Sequence, residues 1–319
     1  MTGSVAGRTP GLYLPAGSTA QSPYDLVITP ETAGWGYSSL RILTMEPGES
    51  HTFSTGGEEM IALPLAGSCD VTVGEETFSL AGRESVFTAT TDLAYLPIGS
   101  EVTIHSPGGI TLALPGTVVD RELPFRYQPA SGTSVVLRGA GSHTRQVNDF
   151  AMATGMQCAK MLATEVITPA SNWSSYPPHK HDEKVGDETE LEEIYYFRFA
   201  SAAPDDAPEL ARTGRPVGYQ RVFGTDERPV EVLEEVSDGD TVLVPHGWHG
   251  PAIASPSHHM YYLNVMAGPG DERAWGISDH PEHGWVRATW ADQPTDPRLP
   301  LYEAATDPDD SQRAGVDAR

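Results

Sequence analysis

Cysteine is nearly absent: the 319 residues hold only Cys69 and Cys158, one in each half. That excludes a disulfide framework, and no Cys pair has zinc-site spacing, so both are expected to be buried free thiols. Basic residues are also scarce, with 20 Lys+Arg against 44 Asp+Glu and a formal net charge of −24. Nucleic acid and anionic membranes attract basic surfaces, so neither is an expected partner. No stretch approaches the roughly 20 apolar residues of a membrane span. The opening MTGSVAGRTPGLYLPAG lacks a basic segment followed by an apolar one, which predicts a cytoplasmic protein. Long runs of 3.6-residue periodicity are missing too, so helices should be few and short.

What the chain does have is glycine (32) and proline (27) spread throughout. Between them lie short runs of β-branched and aromatic residues: MIALPLAG, CDVTV, SEVTIHS, ITLALPG, SVVLRG, EIYYFRF and TVLVPHG. Many short strands with frequent turns describe a sandwich, jelly roll or barrel. At roughly 100–200 residues per domain the length allows two units. The reading is a first unit over 1–145, a second over 146–301 and a disordered, almost apolar-free tail over 302–319. GAGSHTRQVNDF at 139–150 separates the halves; it lacks the third glycine and the long helix of a dinucleotide site. Both halves run from a carboxylate-led apolar strand, GEEMIALPLAG or LEEIYYFRF, to a later proline turn, which is consistent with a tandem duplication.

The chemistry concentrates in the second half. His179 and His181 stand two apart in NWSSYPPHKHDE, and on a strand positions i and i+2 share a face. Glu193 opens EIYYFRF and shares a face with Tyr195, Phe197 and Phe199; a carboxylate leading an aromatic face suits a barrel interior with a ligand at its mouth. The bend in DGDTVLVPHGWHGP carries His246 and His249, either of which could add a further ligand. An isolated H-x-H pair is commonly just exposed. Three such pieces together predict one divalent ion (Zn, Mn, Fe, Co or Ni) on nitrogen and carboxylate ligands. The first half has His51 and His105 but no H-x-H pair, so it should be metal-free.

The second half resembles the 5-deoxy-glucuronate isomerase family, the IolB type of inositol catabolism. The matching residues are NWSSYPPHKHD, LEEIYYFRF, GYQRVF, DGDTVLVPHGWHGP, MYYLNVMAGP and the late WVRATW…DPRLPL, from about 139 to 301. Weaker similarity extends through the first half. The resemblance implies an all-β fold of two tandem cupin (jelly-roll) barrels, with the metal on His179, His181, Glu193 and His249. The gap from His181 to Glu193 is longer than in generic cupins and leaves Glu192 as the alternative; strand phase favours Glu193. It further implies a metal-dependent aldose–ketose isomerase that converts 5-deoxy-D-glucuronate to 5-dehydro-2-deoxy-D-gluconate. The alternatives are an isomerase of a pectin-derived keto-uronate, a cupin dioxygenase and a non-catalytic sugar-binding cupin.

A small anionic sugar must approach a strongly acidic protein, so the site needs local positive charge. The ion would supply about +1 with three neutral His and one Glu. Arg145 and Arg221 are the candidates to fork onto a uronate carboxylate, and Gln220 and Asn264 the candidates for its hydroxyls. Glu193 and His246 are the candidates for acid–base work. Arg198 lies on the strand face opposite Glu193 and is expected in a surface pair. Trp173, Trp248, Trp275, Trp285 and Trp290 are assigned to core or interface, and His258 and His259 to the surface. A homo-oligomer is compatible with all of this.

Overall fold

The computed structural model describes residues 8–152, 154–204 and 206–306. It is mostly β. Helix among the described residues is confined to Pro30–Ala33, Glu209–Thr213 and three 3-10 segments. Two curled sheet systems follow one another along the chain, as the short-strand pattern predicts.

The first barrel is a nine-stranded antiparallel system running from Tyr24–Ile28 to Arg126–Gln128. Its central strand, Glu58–Val73, shows why the sequence there is a continuous apolar run. Met60 and Ala62 point into this barrel, where they meet Leu43, Leu96, Leu112 and Leu114. Ile61, Leu63 and Leu65 point the other way and join a second core shared with the following barrel. A sheet buried on both faces has no position for alternating polar residues. The inward cluster fills the first barrel with aliphatic side chains. Among the described residues no group of three potential ligands lies in it.

The second barrel sets a seven-stranded sheet against a six-stranded one. The larger sheet runs Tyr13–Leu14, Thr241–Val244, Glu192–Ser201, His258–Ala267, Leu162–Thr168, Arg145–Ala151 and Ser134–Arg138. Two of these strands, Tyr13–Leu14 and Ser134–Arg138, come from the first-half side of a division at 145/146. The start of the chain therefore crosses over: Tyr13 and Leu14 pair with Val242 and Thr241. Of the expected tail, residues 307–319 lie outside the described residues. Tyr302, at its start, is anchored rather than loose. Its hydroxyl accepts from Asn148 Nδ2 at 2.8 Å and donates to the Val86 carbonyl at 3.1 Å, one partner from each barrel.

Three carboxylates, Glu59 and Glu165 buried and Glu192 half-buried, bind the barrels to each other. Glu59 of the first accepts backbone N–H bonds from Ala159 (2.6 Å), Lys160 (2.8 Å) and Met161 (2.9 Å), and a bond from the Tyr95 hydroxyl. Glu192 of the second returns the arrangement, accepting from Gly36, Tyr37 and Ser38. Between them Arg83 forms a buried fork with Glu165, whose oxygens also accept from Tyr261 (2.8 Å) and Asn148 (3.1 Å). Each of these charges is held by its partners, which is what makes its burial tolerable. Cys69 and Cys158 are buried and free.

Arg83→Met leaves Glu165 as an uncompensated buried charge and should cost about 3–5 kcal/mol. The double variant Arg83→Met/Glu165→Leu should recover much of that loss. Urea unfolding of both proteins decides it: a single variant within 1 kcal/mol of wild type, on the order of an ordinary surface change, would show the fork to be dispensable.

Candidate metal and substrate cavity

The H-x-H segment is held by what lies between and after its histidines. Lys180 faces away from the imidazoles and binds Asp182 (2.8 Å), Glu183 (2.9 Å) and Glu188 (2.9 Å). Asp182 in turn accepts from the backbone N–H of Gly247 at 2.8 Å. That bond ties the H-x-H segment to the bend carrying His249, and His179 and His249 are direct cross-strand partners. The third piece arrives by strand alternation. Glu192 points outward to the first barrel, so Glu193 points inward. The outward engagement of Glu192 settles which carboxylate faces the histidines.

The three imidazoles of His179, His181 and His249 are buried, and their ligand atoms lie within 4.8 Å of one another. Each Nδ1 faces a backbone carbonyl: Pro177 at 3.3 Å for His179, Leu191 at 3.2 Å for His181 and Gly247 at 3.2 Å for His249. An Nδ1–H that donates there leaves each Nε2 as a lone pair, the tautomer that metal ligands adopt. Glu193 Oε2 lies 3.3 Å from His181 Nε2 and 3.2 Å from His249 Nε2. With the protons on Nδ1, these acceptors face one another with no donor between them, and all three atoms are buried without a hydrogen-bond partner. Such a set calls for positive charge among its atoms, and a divalent ion fits its donor chemistry. Burial and the neighbouring imidazoles push His179 well below its ordinary value, keeping it neutral. Burial works against charge on Glu193 as well, and only positive charge on its His181 and His249 side reverses that and holds the carboxyl low.

The cluster opens on a cavity of about 280 Å³ inside the second barrel. Its wall includes Arg145, Asn264, His179 and Glu193 from the sequence reading. It also includes Arg138, Arg287, Trp275 and Trp290, which that reading did not place there. The two tryptophans are therefore cavity wall rather than plain core. The Trp290 ring lies 5.5 Å from the Arg145 guanidinium and 5.2 Å from that of Arg287; Trp275 lies 5.2 Å from Arg138. Arg138 pairs with Asp149 and Arg287 with Asp279. Arg145 is buried, donates to the His143 carbonyl at 3.2 Å and, among the described residues, has no carboxylate partner. Burial pulls it down to about 10, so it is still charged at neutral pH. Asn264 Nδ2 is buried and unpartnered.

Three other candidates stand elsewhere. Arg221 is exposed on the outside of the barrel, 4.2 Å from the Phe223 ring, because strand alternation turns it opposite to its buried neighbours. Gln220 points inward and is fully buried, but it is not on the cavity wall. His246 sits beside Asp182 and Arg228 outside the cavity, with its value lowered by burial. Arg198 pairs with Asp238 at 3.0 Å, as its strand phase predicts. His258, expected at the surface, is buried against Ser257.

Two tandem jelly-roll barrels, one solid and one holding three histidines and a carboxylate at a cavity, define a bicupin. The chain belongs to the KduI/IolB family, whose model matches residues 12–286. It is 32% identical over 278 residues to the 5-deoxy-glucuronate isomerase of Geobacillus kaustophilus, across 86% of this chain and 95% of the relative. The 5-deoxy-glucuronate isomerase of Bacillus subtilis strain 168 is 31% identical over 262 residues, 81% and 91% of the two chains. Among solved structures, an IolB-like protein from Salmonella typhimurium superposes with a TM-score of 0.75 at 31% identity, covering 86% of this chain and 98% of that one. Bacillus subtilis oxalate decarboxylase shares the fold alone, with a TM-score of 0.56 at 11% identity over 86% and 79%.

The residue after His249 tests how tightly this geometry is built. Gly250 has φ +99°, and a Cβ there would stand 1.8 Å from the Ser175 carbonyl oxygen. Gly250→Ala should therefore cost well over about 1 kcal/mol, read as a fall in melting temperature. An unchanged melting temperature would mean that this contact relaxes freely.

Proposed function

We propose that this chain isomerises 5-deoxy-D-glucuronate to 5-dehydro-2-deoxy-D-gluconate, using one divalent ion held by His179, His181, Glu193 and His249. The observation that carries the reading is the set of converging, unpartnered acceptors beside a cavity that also holds an arginine buried, among the described residues, without a carboxylate. When bound, such an ion supplies Lewis-acid polarisation of the sugar's carbonyl and adjacent hydroxyl. Zn, Mn, Fe, Co and Ni all suit this donor set.

The remaining work falls to the chain's own side chains. Arg145 takes the substrate carboxylate, because its charge is already desolvated and its fork has no competing acid. Trp290, whose ring centroid lies 5.5 Å from that guanidinium, packs against it, while Arg287 is already neutralised by Asp279. Asn264 offers an unpartnered donor to a hydroxyl. The cavity keeps solvent from the reacting carbons, which strengthens every charge interaction inside it. Glu193 is committed to the imidazoles, and His246 stands outside the wall, so neither is assigned the proton transfer. Arg221 and Gln220 have no part in the reading. The first barrel, its interior filled, acts as scaffold. A cytoplasmic location and a homo-oligomer belong to this proposal; no helix among the described residues is long and apolar enough to cross a membrane.

Elemental analysis of the purified protein should give one ion per chain. His179→Ala/His181→Ala should lose the ion and the activity together. Stoichiometric metal retained in that double variant would refute the ligand set, and two ions per chain would refute the solid first barrel.

Arg145→Met should lower kcat/KM by about 2–4 kcal/mol, since a charged group is left without its partner in a desolvated site. The loss should be much smaller on an analogue whose carboxylate is replaced by an uncharged group. Arg221→Met should do little to either. Equal losses on the charged and uncharged sugars would make Arg145 a structural residue.

A further inference from the structure

The inner wall of the second barrel is layered along its strands, and the register fixes the order. Arg145 stands at one end. Next along the same face comes Val147, the direct cross-strand partner of Val166, which is in turn the partner of Tyr262. One layer further, Thr164 faces Asn264, and Asn264 faces Tyr195. The layer after that brings Met266 opposite Glu193. All of these side chains line the one cavity. From end to end the wall therefore reads cation, apolar pair, polar layer, ligand cluster.

A uronate that is deoxygenated beside its carboxylate has the same order of groups: carboxylate, methylene, hydroxyl-bearing carbons, carbonyl. We infer that Val147 and Val166 are specificity-determining residues that face the methylene beside the carboxylate and select against acids with an oxygen on that carbon. The inference rests on the proposed isomerase reading and deepens it, because it names the part of the wall that chooses among uronates. Val147 and Val166 offer no hydrogen-bond partner, and both are buried. The Tyr262 hydroxyl of the same layer is engaged with Ser174 and Ser175, each at 3.1 Å, so a hydroxyl placed against the valines would lose its water and find no replacement. The polar layer is different: Asn264 Nδ2 is unpartnered among the described residues, and the Tyr195 hydroxyl lies 3.3 Å from Ser175 Oγ, both on the cavity wall. Oxygens are therefore welcome one layer on and unwelcome at the valine pair.

The test compares kcat/KM on 5-deoxy-D-glucuronate and on D-glucuronate, which carries a hydroxyl on that carbon. A purely apolar contact discriminates against an added hydroxyl by about 100-fold, so wild type should prefer the deoxy acid by roughly that factor. Val166→Thr and Val147→Thr keep the side-chain shape and add a hydroxyl. Each should narrow the preference about tenfold, chiefly by improving D-glucuronate. Val147→Ala and Val166→Ala make space without a partner and should narrow it less; they also serve if a threonine variant fails to fold. Melting temperature and metal content report on fold and cluster separately. If wild type turns over the deoxy acid but none of the folded variants moves the ratio, the valine pair does not read that carbon and the inference fails alone. If wild type turns over neither sugar while carrying its metal, the proposed reaction fails and takes the inference with it.

Discussion

Two consecutive carboxylates at the head of one strand organise the molecule. A strand turns successive side chains to opposite faces, so Glu192 and Glu193 cannot serve the same site. Glu192 leaves the barrel and accepts three backbone N–H groups of the first unit. Glu193 enters it and faces His181 and His249. The interface and the cluster thus share one strand phase. A one-residue slip would exchange the two faces and destroy both. Because Glu192 anchors the strand against the first barrel, the position of Glu193 is set by the contact between the barrels as well as by the second barrel itself.

Electrostatics explains why the cavity is where the arginines are. A net charge of −24 repels an anion at long range, but salt weakens that repulsion beyond about 10 Å. Inside, Arg138, Arg145 and Arg287 surround the wall, and two of the three are neutralised by Asp149 and Asp279. The third is buried without an acid. Burying an unpaired guanidinium is costly, and the flat faces of Trp290 and the His143 carbonyl offset only part of that cost. A site that keeps such a charge is arranged for a ligand that completes it.

How much of this could be read from the residues alone follows the same physics. The H-x-H pair and Glu193 were legible because short-range spacing and strand phase fix them, whereas His249 over His246 was legible only through the family resemblance. The barrels were legible from Gly/Pro-bounded apolar runs. Arg145 was legible as scarce charge in a Gly-rich connector. Arg138, Arg287, Trp275 and Trp290 were not, because they reach the cavity from a strand end, a loop and a late 3-10 segment through long-range closure that leaves no local pattern. Gln220 and Arg221 misled for a related reason: composition marks them as polar, but only the sheet shows that one turns out and the other points in away from the cavity. The crossing of Tyr13–Leu14 to the second barrel had no local signal at all.

The registers also explain why one barrel is hollow and the other solid. In the first barrel Met60 pairs with Leu96 and Ala62 with Ala94. In the second, Glu193 pairs with Val244 and Tyr195 with Val242. The proline turns that follow coincide as well, Leu96-Pro97-Ile98-Gly99 against Val244-Pro245-His246-Gly247. Superimposing the two halves on these pairs puts Glu59 on Glu192, and both carboxylates do the same work, each clamping the backbone of the opposite barrel. The same superposition puts Met60 where Glu193 stands and Glu101 where His249 stands. The outward, interlocking position is alike in both halves, and the inward position is not. An aliphatic side chain at that inward site packs against Leu43, Leu112 and Leu114 and needs no partner. A carboxylate there needs the histidines and the cation they imply. The difference between scaffold and site comes down to which residue follows the clamping glutamate.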